Sequence, residues 1–108
     1  MPVNIKIDDI NVVACLSGEI DHHSAAELRR KIDEAIESAY PEVLILDFGG
    51  VTFMDSSGIG LVMGRYKLMQ NISGKVIIEN APASIKKVMK MSGIEKLLGS
   101  KRKEESYL

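Results

Sequence analysis

Apolar positions along this chain change period several times, and each change marks a new element. Val3, Ile5 and Ile7 alternate with Asn4 and Lys6, the period of two expected of a half-buried strand. Asp8, Asp9 and Asn11 are turn formers, and Val12 to Leu16 is a continuous apolar run that predicts a second strand. So short a connection makes the two strands antiparallel neighbours. Ser17 to His23 reads as a polar loop. Beyond it Leu28, Ile32, Ala35, Ile36 and Ala39 recur at helical spacing, with Pro41 as the stop. Ser24 with Glu27 three residues later predicts a capping box opening that helix. Glu27 with Lys31, and Arg30 with Glu34, place opposite charges one turn apart on its wet side.

Val43 to Phe48 is the most apolar strand and should be central in a sheet. It feeds through Gly49-Gly50 into Phe53-Met54-Asp55-Ser56-Ser57-Gly58-Ile59-Gly60, from which a helix leaves with Ile59, Val62, Tyr66 and Met69 on one stripe. That helix should run to about Asn71, with Ser73-Gly74 ending it. Lys75 to Glu79 predicts a fourth strand, and Asn80-Ala81-Pro82 a third helix with Ile85, Val88 and Met89 inward. Ser92-Gly93 breaks it, Ile94, Leu97 and Leu98 suggest a last packed turn, and about 100–108 is a charged tail. The order β-β-α-β-α-β-α predicts one α/β domain over 1–108. Its four-stranded, mainly parallel sheet has order 1-2-3-4, strand 1 is antiparallel, and the helices lie mainly on one face. The other face stays comparatively open.

Parallel strands send their following loops to one end, where open α/β sheets place their sites. Glu19 to Ser24, Asp55 to Gly58 and Asn80 to Pro82 are therefore expected to share a surface. Within it, Asp55-Ser56-Ser57 has two readings. These residue types cap helix N-termini. A serine hydroxyl displayed there is also a place where a phosphate is tolerated, because free N–H groups and the helix dipole point at it.

Charge and composition narrow the chemistry. Fourteen basic against fifteen acidic side chains give no surplus to attract nucleic acid. A lone Cys15 in an apolar run reads as a small buried hydrophobe and fits a reducing cytoplasm. No stretch reaches transmembrane length. A hydrolase could draw on Ser56 or Ser57, His22 or His23, and Asp21, but Gly-x-Ser-x-Gly is absent. His22-His23 makes a poor metal site because adjacent side chains diverge and no further ligand supports them. Gly58-x-Gly60-x-x-x-Gly64 misses the dinucleotide spacing by one. Its plainer meaning is that Gly60 and Gly64 let the helix approach the sheet or a partner closely. Aspartyl phosphorylation at Asp47 would need more strand-helix units than this chain has. No catalytic residue, metal ligand or cofactor is expected.

Three segments together carry a resemblance: Ser17 to His23, Phe53 to Gly60 running on into Gly64-Arg65-Tyr66-Lys67, and Met91-Ser92-Gly93-Ile94. They resemble the STAS-domain anti-sigma factor antagonists, most nearly the sporulation sigma F type, over roughly residues 3 to 98. The resemblance implies a cytoplasmic binding protein, monomeric when free, without catalysis of its own. Its unphosphorylated form binds an anti-sigma factor that is also a serine kinase and so releases the sigma factor. Phosphorylation from ATP switches it off and a PP2C-type phosphatase restores it. Ser56 maps to the phosphoacceptor. Glu19, Asp21, His22, Ser24, Asp55, Ser57, Gly58 and Ile59 are the expected partner contacts. A nucleotide-sensing regulatory domain is the alternative.

Overall fold

The two most apolar runs lie side by side in the sheet, with Val12 opposite Leu44, Val13 opposite Ile45 and Ala14 opposite Leu46. The computed structural model describes residues 3–98; the charged tail lies outside them. β1 (Val3–Asp8) pairs antiparallel with β2 (Asn11–Ile20), and Asp9, at φ 55°, makes the turn. β3 (Val43–Met54) runs parallel to β2, and β4 (Lys75–Glu79) runs parallel to β3. The sheet order is β1-β2-β3-β4, as the pattern predicts.

Three helices cross over this sheet: α1 (His22–Ala39), α2 (Ser56–Asn71) and α3 (Ala83–Ser92), the last followed by a 3-10 turn at Ile94–Leu97. Leu28 and Ile32 of α1, Leu61 and Val62 of α2, and Ile85 and Met89 of α3 all join one core with Val12, Ala14, Leu44, Leu46 and Val76. The alternate strand residues Val13, Val43, Ile45 and Ile77 form a separate, smaller cluster. Strand side chains alternate faces, so the helices gather on one side of the sheet. Cys15, expected to be buried, is half-buried beside this smaller cluster.

Two strands are longer than the apolar runs suggest. β2 continues through Ser17-Gly18-Glu19-Ile20, expected as a loop, and β3 continues from Gly49 to Met54. The pairing slips twice on the way: Cys15 faces Asp47 but Ser17 faces Gly50, and Gly18 faces Val51 but Glu19 faces Phe53. Each slip inserts one extra residue into β3, the geometry of a β-bulge. Buried positions then fall at Phe48, Val51 and Met54 instead of every second residue, which hides the strand from a period-two reading. Gly50 makes the first slip possible, since a Cβ there would lie 2.9 Å from Ser17 Cβ and 3.0 Å from the Leu16 carbonyl oxygen.

α2 differs from its expected stripe. Gly58, Leu61, Val62, Arg65 and Met69 are buried, while Ile59 and Tyr66 are half-buried at the margin. Arg65 is a charged side chain in this core, 6% exposed, with Nε 2.8 Å from Asp33 Oδ1 on α1. Desolvation pushes the Asp33 carboxyl above its usual range and the Arg65 guanidinium below its own. The attraction between the two does not make good the cost of burying both charges, so the pair links α1 to α2 but contributes little net stability.

Candidate functional site

The two helices that follow β2 and β3 begin side by side. The Asp55 N–H donates to the Ile20 carbonyl at 3.2 Å, which ties the α2 cap to the last residue of β2, one residue before the α1 cap. Both caps are aspartates. Asp21 has extended backbone and accepts from the N–H groups of His23 and Ser24, each at 3.0 Å. The Ser24 hydroxyl in turn accepts the Asp21 N–H at 3.0 Å and donates to the Glu19 carbonyl at 2.9 Å. This is a capping box with Asp21 as the cap and Ser24 at the third helical position, so the expected assignment of Ser24 as cap is corrected. The helix starts three residues earlier than a Ser24 cap would place it, because an aspartate was available to take its free donors. Those donors, Ser24 N–H foremost, hold the Asp21 carboxyl below the usual carboxylate range.

At α2, Asp55 takes the cap, accepting the Ser57 N–H at 2.8 Å. The Gly58 N–H turns back to the Asp55 carbonyl at 3.0 Å. Ser56 occupies the first helical position and is exposed, and its hydroxyl makes no hydrogen bond among the described residues. Ser57 and Ile59 are half-buried. Gly58, expected among the contacts, is instead buried under the helix: a Cβ there would collide with Met54, and Ile20 Cγ2 stands 3.4 Å away. Its role is to let α2 start hard against the sheet. Gly60 and Gly64, expected to permit that approach, have nothing within 4 Å of an added Cβ. The dinucleotide reading loses its first glycine to the same packing.

Glu19, Asp21, His22, Ser24, Asp55 and Ser56 are thus gathered at one end of the sheet by β2, β3 and the two helix starts. His22 and His23 are both exposed, and their rings stack with centroids 4.0 Å apart, tilted by 37°, so these neighbours do not diverge. Among the described residues no group of three or more His, Cys, Asp or Glu side chains is placed to hold a metal ion. Asn80 does not join this surface. Its Nδ2 donates to Asp47 Oδ2 at 3.0 Å, because β4 ends opposite Asp47. β3 runs on to Met54 from there, on the order of 20 Å of extended chain. The other Asp47 oxygen accepts the Gly49 N–H at 2.8 Å, so this carboxylate braces a loop.

One neighbour went unread in the sequence. Phe53 is half exposed and sits in register with Glu19, two residues before the Asp55 cap. The bulges put Thr52 and Phe53 outside in succession, which a strict alternation would not allow. A surface cavity of about 470 Å³ lies elsewhere, lined by Ile78, Asn80, Lys86, Met89, Glu95 and Leu98, and shares no residue with this cluster.

Comparison with known proteins identifies the family and the fold. Residues 2–106 match the STAS domain. The anti-sigma F factor antagonist of Lysinibacillus sphaericus is 40% identical over 83 residues, covering 77% of this chain and 71% of the relative. The solved structure of the anti-sigma factor antagonist SpoIIAA in its unphosphorylated form superposes with a TM-score of 0.81 at 33% identity, covering 97% of this chain and 92% of that one. The structure of the Bacillus cell fate determinant SpoIIAA in the phosphorylated form gives 0.72 at 33% identity, covering 97% and 96%. The domain match over nearly the whole sequence, together with these relatives, places the chain in the STAS domain family, where it is similar to the anti-sigma factor antagonists.

Proposed function

We propose that this protein is an anti-sigma factor antagonist switched by phosphorylation at Ser56. In this reading the unphosphorylated surface binds an anti-sigma factor that is also a serine kinase, freeing a sigma factor of the sporulation sigma F type. The kinase transfers phosphate from ATP to Ser56, and a PP2C-type phosphatase removes it. The protein works in the cytoplasm as a substrate and regulatory ligand and performs no catalysis itself. The observation that carries the reading is the state of the Ser56 hydroxyl: exposed, at the first position of α2, and free of the capping bonds that occupy Asp55.

The physics of the switch follows from that position. Phosphate adds about −1.5 to −2 charges near neutral pH. The start of α2 tolerates an anion locally, since its N–H groups and dipole point outward. A partner shaped to a neutral hydroxyl meets the new charge alongside Asp55, Asp21 and Glu19, and pays repulsion and desolvation. A hundredfold loss of affinity needs only ~2.7 kcal/mol, within the range of one mismatched interfacial charge. Phe53 supplies an exposed aromatic at the edge of this surface, the residue type that anchors interfaces. His22, Ser57 and Ile59 complete the contact set. Gly58 acts from beneath, by seating the helix.

Intact mass after incubation with ATP and the purified cognate kinase should rise by one phosphate, and Ser56→Ala should remain unmodified. Phosphate on Ser57 in the wild type would overturn the assignment. The nucleotide-sensing alternative predicts heat in calorimetry of the isolated protein with ATP or GTP; no heat at millimolar nucleotide removes it.

A further inference from the structure

The charge of this protein is unevenly spread. Residues 3–82 hold seven basic and twelve acidic side chains, whereas residues 83–98 hold four lysines against Glu95 alone. Three of those lysines, Lys86, Lys87 and Lys90, are exposed on α3, which contains no acidic residue. Ile85 and Met89 point into the core, so the lysines share the outward side. At about 100° per residue, Lys86, Lys90, Lys87 and Met91 fall within an arc of about 140°. Met91, 79% exposed, is the most exposed large apolar side chain among the described residues. On α1, by contrast, Arg30 pairs with Glu27 and Glu34 at 2.8 and 2.9 Å, and Lys31 reaches Glu27 at 3.9 Å. No carboxylate stands within ion-pair distance of the α3 lysines among the described residues.

We propose that the outward face of α3 docks this protein on an anionic membrane surface. The residue types choose this occupant over an acidic protein. Specific protein interfaces favour arginine and aromatic anchors and are poor in lysine. This face has lysines and one flexible methionine, and a diffuse negative surface asks for no more than that. The exposed Met91 gives the face an apolar component that a nucleic-acid backbone would leave unused. Acidic groups elsewhere do not cancel the attraction. The molecule measures 32 × 29 × 22 Å, and salt screens charges beyond about 8 Å at physiological strength. The docking does not involve Ser56, so it would persist whichever way the switch stands.

The test is co-sedimentation of the full chain with vesicles of phosphatidylglycerol mixed into phosphatidylcholine, and with vesicles of phosphatidylcholine alone. Binding is expected only to the first, weakening as salt is raised. Each lysine near such a surface strengthens partitioning about fivefold, so Lys86→Gln/Lys87→Gln/Lys90→Gln together should lower it about a hundredfold. Arg29→Gln/Arg30→Gln/Lys67→Gln, an equal charge change on α1 and α2, should leave it within a few-fold, and Ser56→Asp should bind like wild type. Circular dichroism confirms that each variant is folded. No binding of wild type to the anionic vesicles overturns the proposal, as does equal binding by both triple variants. Equally tight, lysine-dependent binding to duplex DNA would overturn it too, by showing a general polyanion site. None of these results depends on the kinase, so the proposal and the switch at Ser56 stand or fall separately.

Discussion

α1 and α2 start from the same plan and finish it differently. Each follows a strand, each is capped by an aspartate in extended conformation, and the two caps lie beside each other through the Asp55–Ile20 bond. In α1 the third helical residue is Ser24, whose hydroxyl closes the capping box and also binds the Glu19 carbonyl. Asp21 Oδ1 and the Ser24 hydroxyl both have structural work in that turn. In α2 the third residue is Gly58, which has no side chain to return a bond, and Asp55 accepts one side-chain bond where Asp21 accepts two. The serines of α2 stand at its first two positions, and Ser56 faces solvent. A hydroxyl committed to a cap cannot be modified without loosening the helix. One left outside the cap can be modified while the fold stays intact, so the less complete cap is the better switch.

The largest expected effect separates the two serines in function. Ser56→Asp should weaken binding to the anti-sigma factor by about a hundredfold, about 2.7 kcal/mol, with an unchanged circular-dichroism spectrum. Tight binding by this variant would defeat the electrostatic account. Next in size is an attempt to give α2 the cap of α1. Gly58→Ser restores the residue type at the third position, but its Cβ runs into Met54. The expected cost is about 2 kcal/mol of folding stability from overpacking, measured by urea denaturation. Combining it with Met54→Ala should make the pair of changes less costly than the sum of the two singles. Strict additivity would mean that the collision does not set the need for glycine. Ser24→Ala comes third: it removes the returning bond of the α1 capping box and should cost about 1 kcal/mol.

How much of this was legible beforehand depended on whether the local pattern or a distant partner set the structure. The strand order and the α3 stripe followed from periodicity, because residues such as Ile85 and Met89 answer to burial alone. The ends of β2 and β3 did not, since bulges at Gly50 and Phe53 shift the pattern by one residue and imitate a loop. Sequence alone offers Ser24 as the cap because Ser-x-x-Glu and Asp-x-x-Ser both satisfy the chemistry, and Asp21 comes first. Arg65 was invisible as a core residue, because its burial depends on Asp33, thirty-two residues away on another helix. Of the site, residue types and their common end of the sheet were readable. The burial of Gly58 beneath Met54 and the exposure of Phe53 were not, since each is decided by packing across strands.

The smallest effect tests the α1 cap through its proton. Asp21 is held below its ordinary value of 3.8 in the folded protein, chiefly by the Ser24 N–H. The charged carboxylate is therefore favoured by folding, and its contribution is complete above the unfolded pKa. It is lost as pH falls through the folded pKa, because both states are then protonated. Glu27, lowered by Arg30, adds a similar dependence in the same acidic window, so the wild-type profile alone does not isolate the cap. Asp21→Asn does. Asparagine caps about as well as aspartate but does not titrate. The stability difference between the two proteins, followed by denaturation from about pH 6 to about pH 2, should favour the wild type at the upper end and shrink towards the lower. A difference that stays flat would mean that Asp21 gains nothing from its charge. The α1 cap would then rest on hydrogen-bond geometry that a neutral side chain supplies equally well, and the contrast with α2 would lie in Ser24 and Gly58 alone.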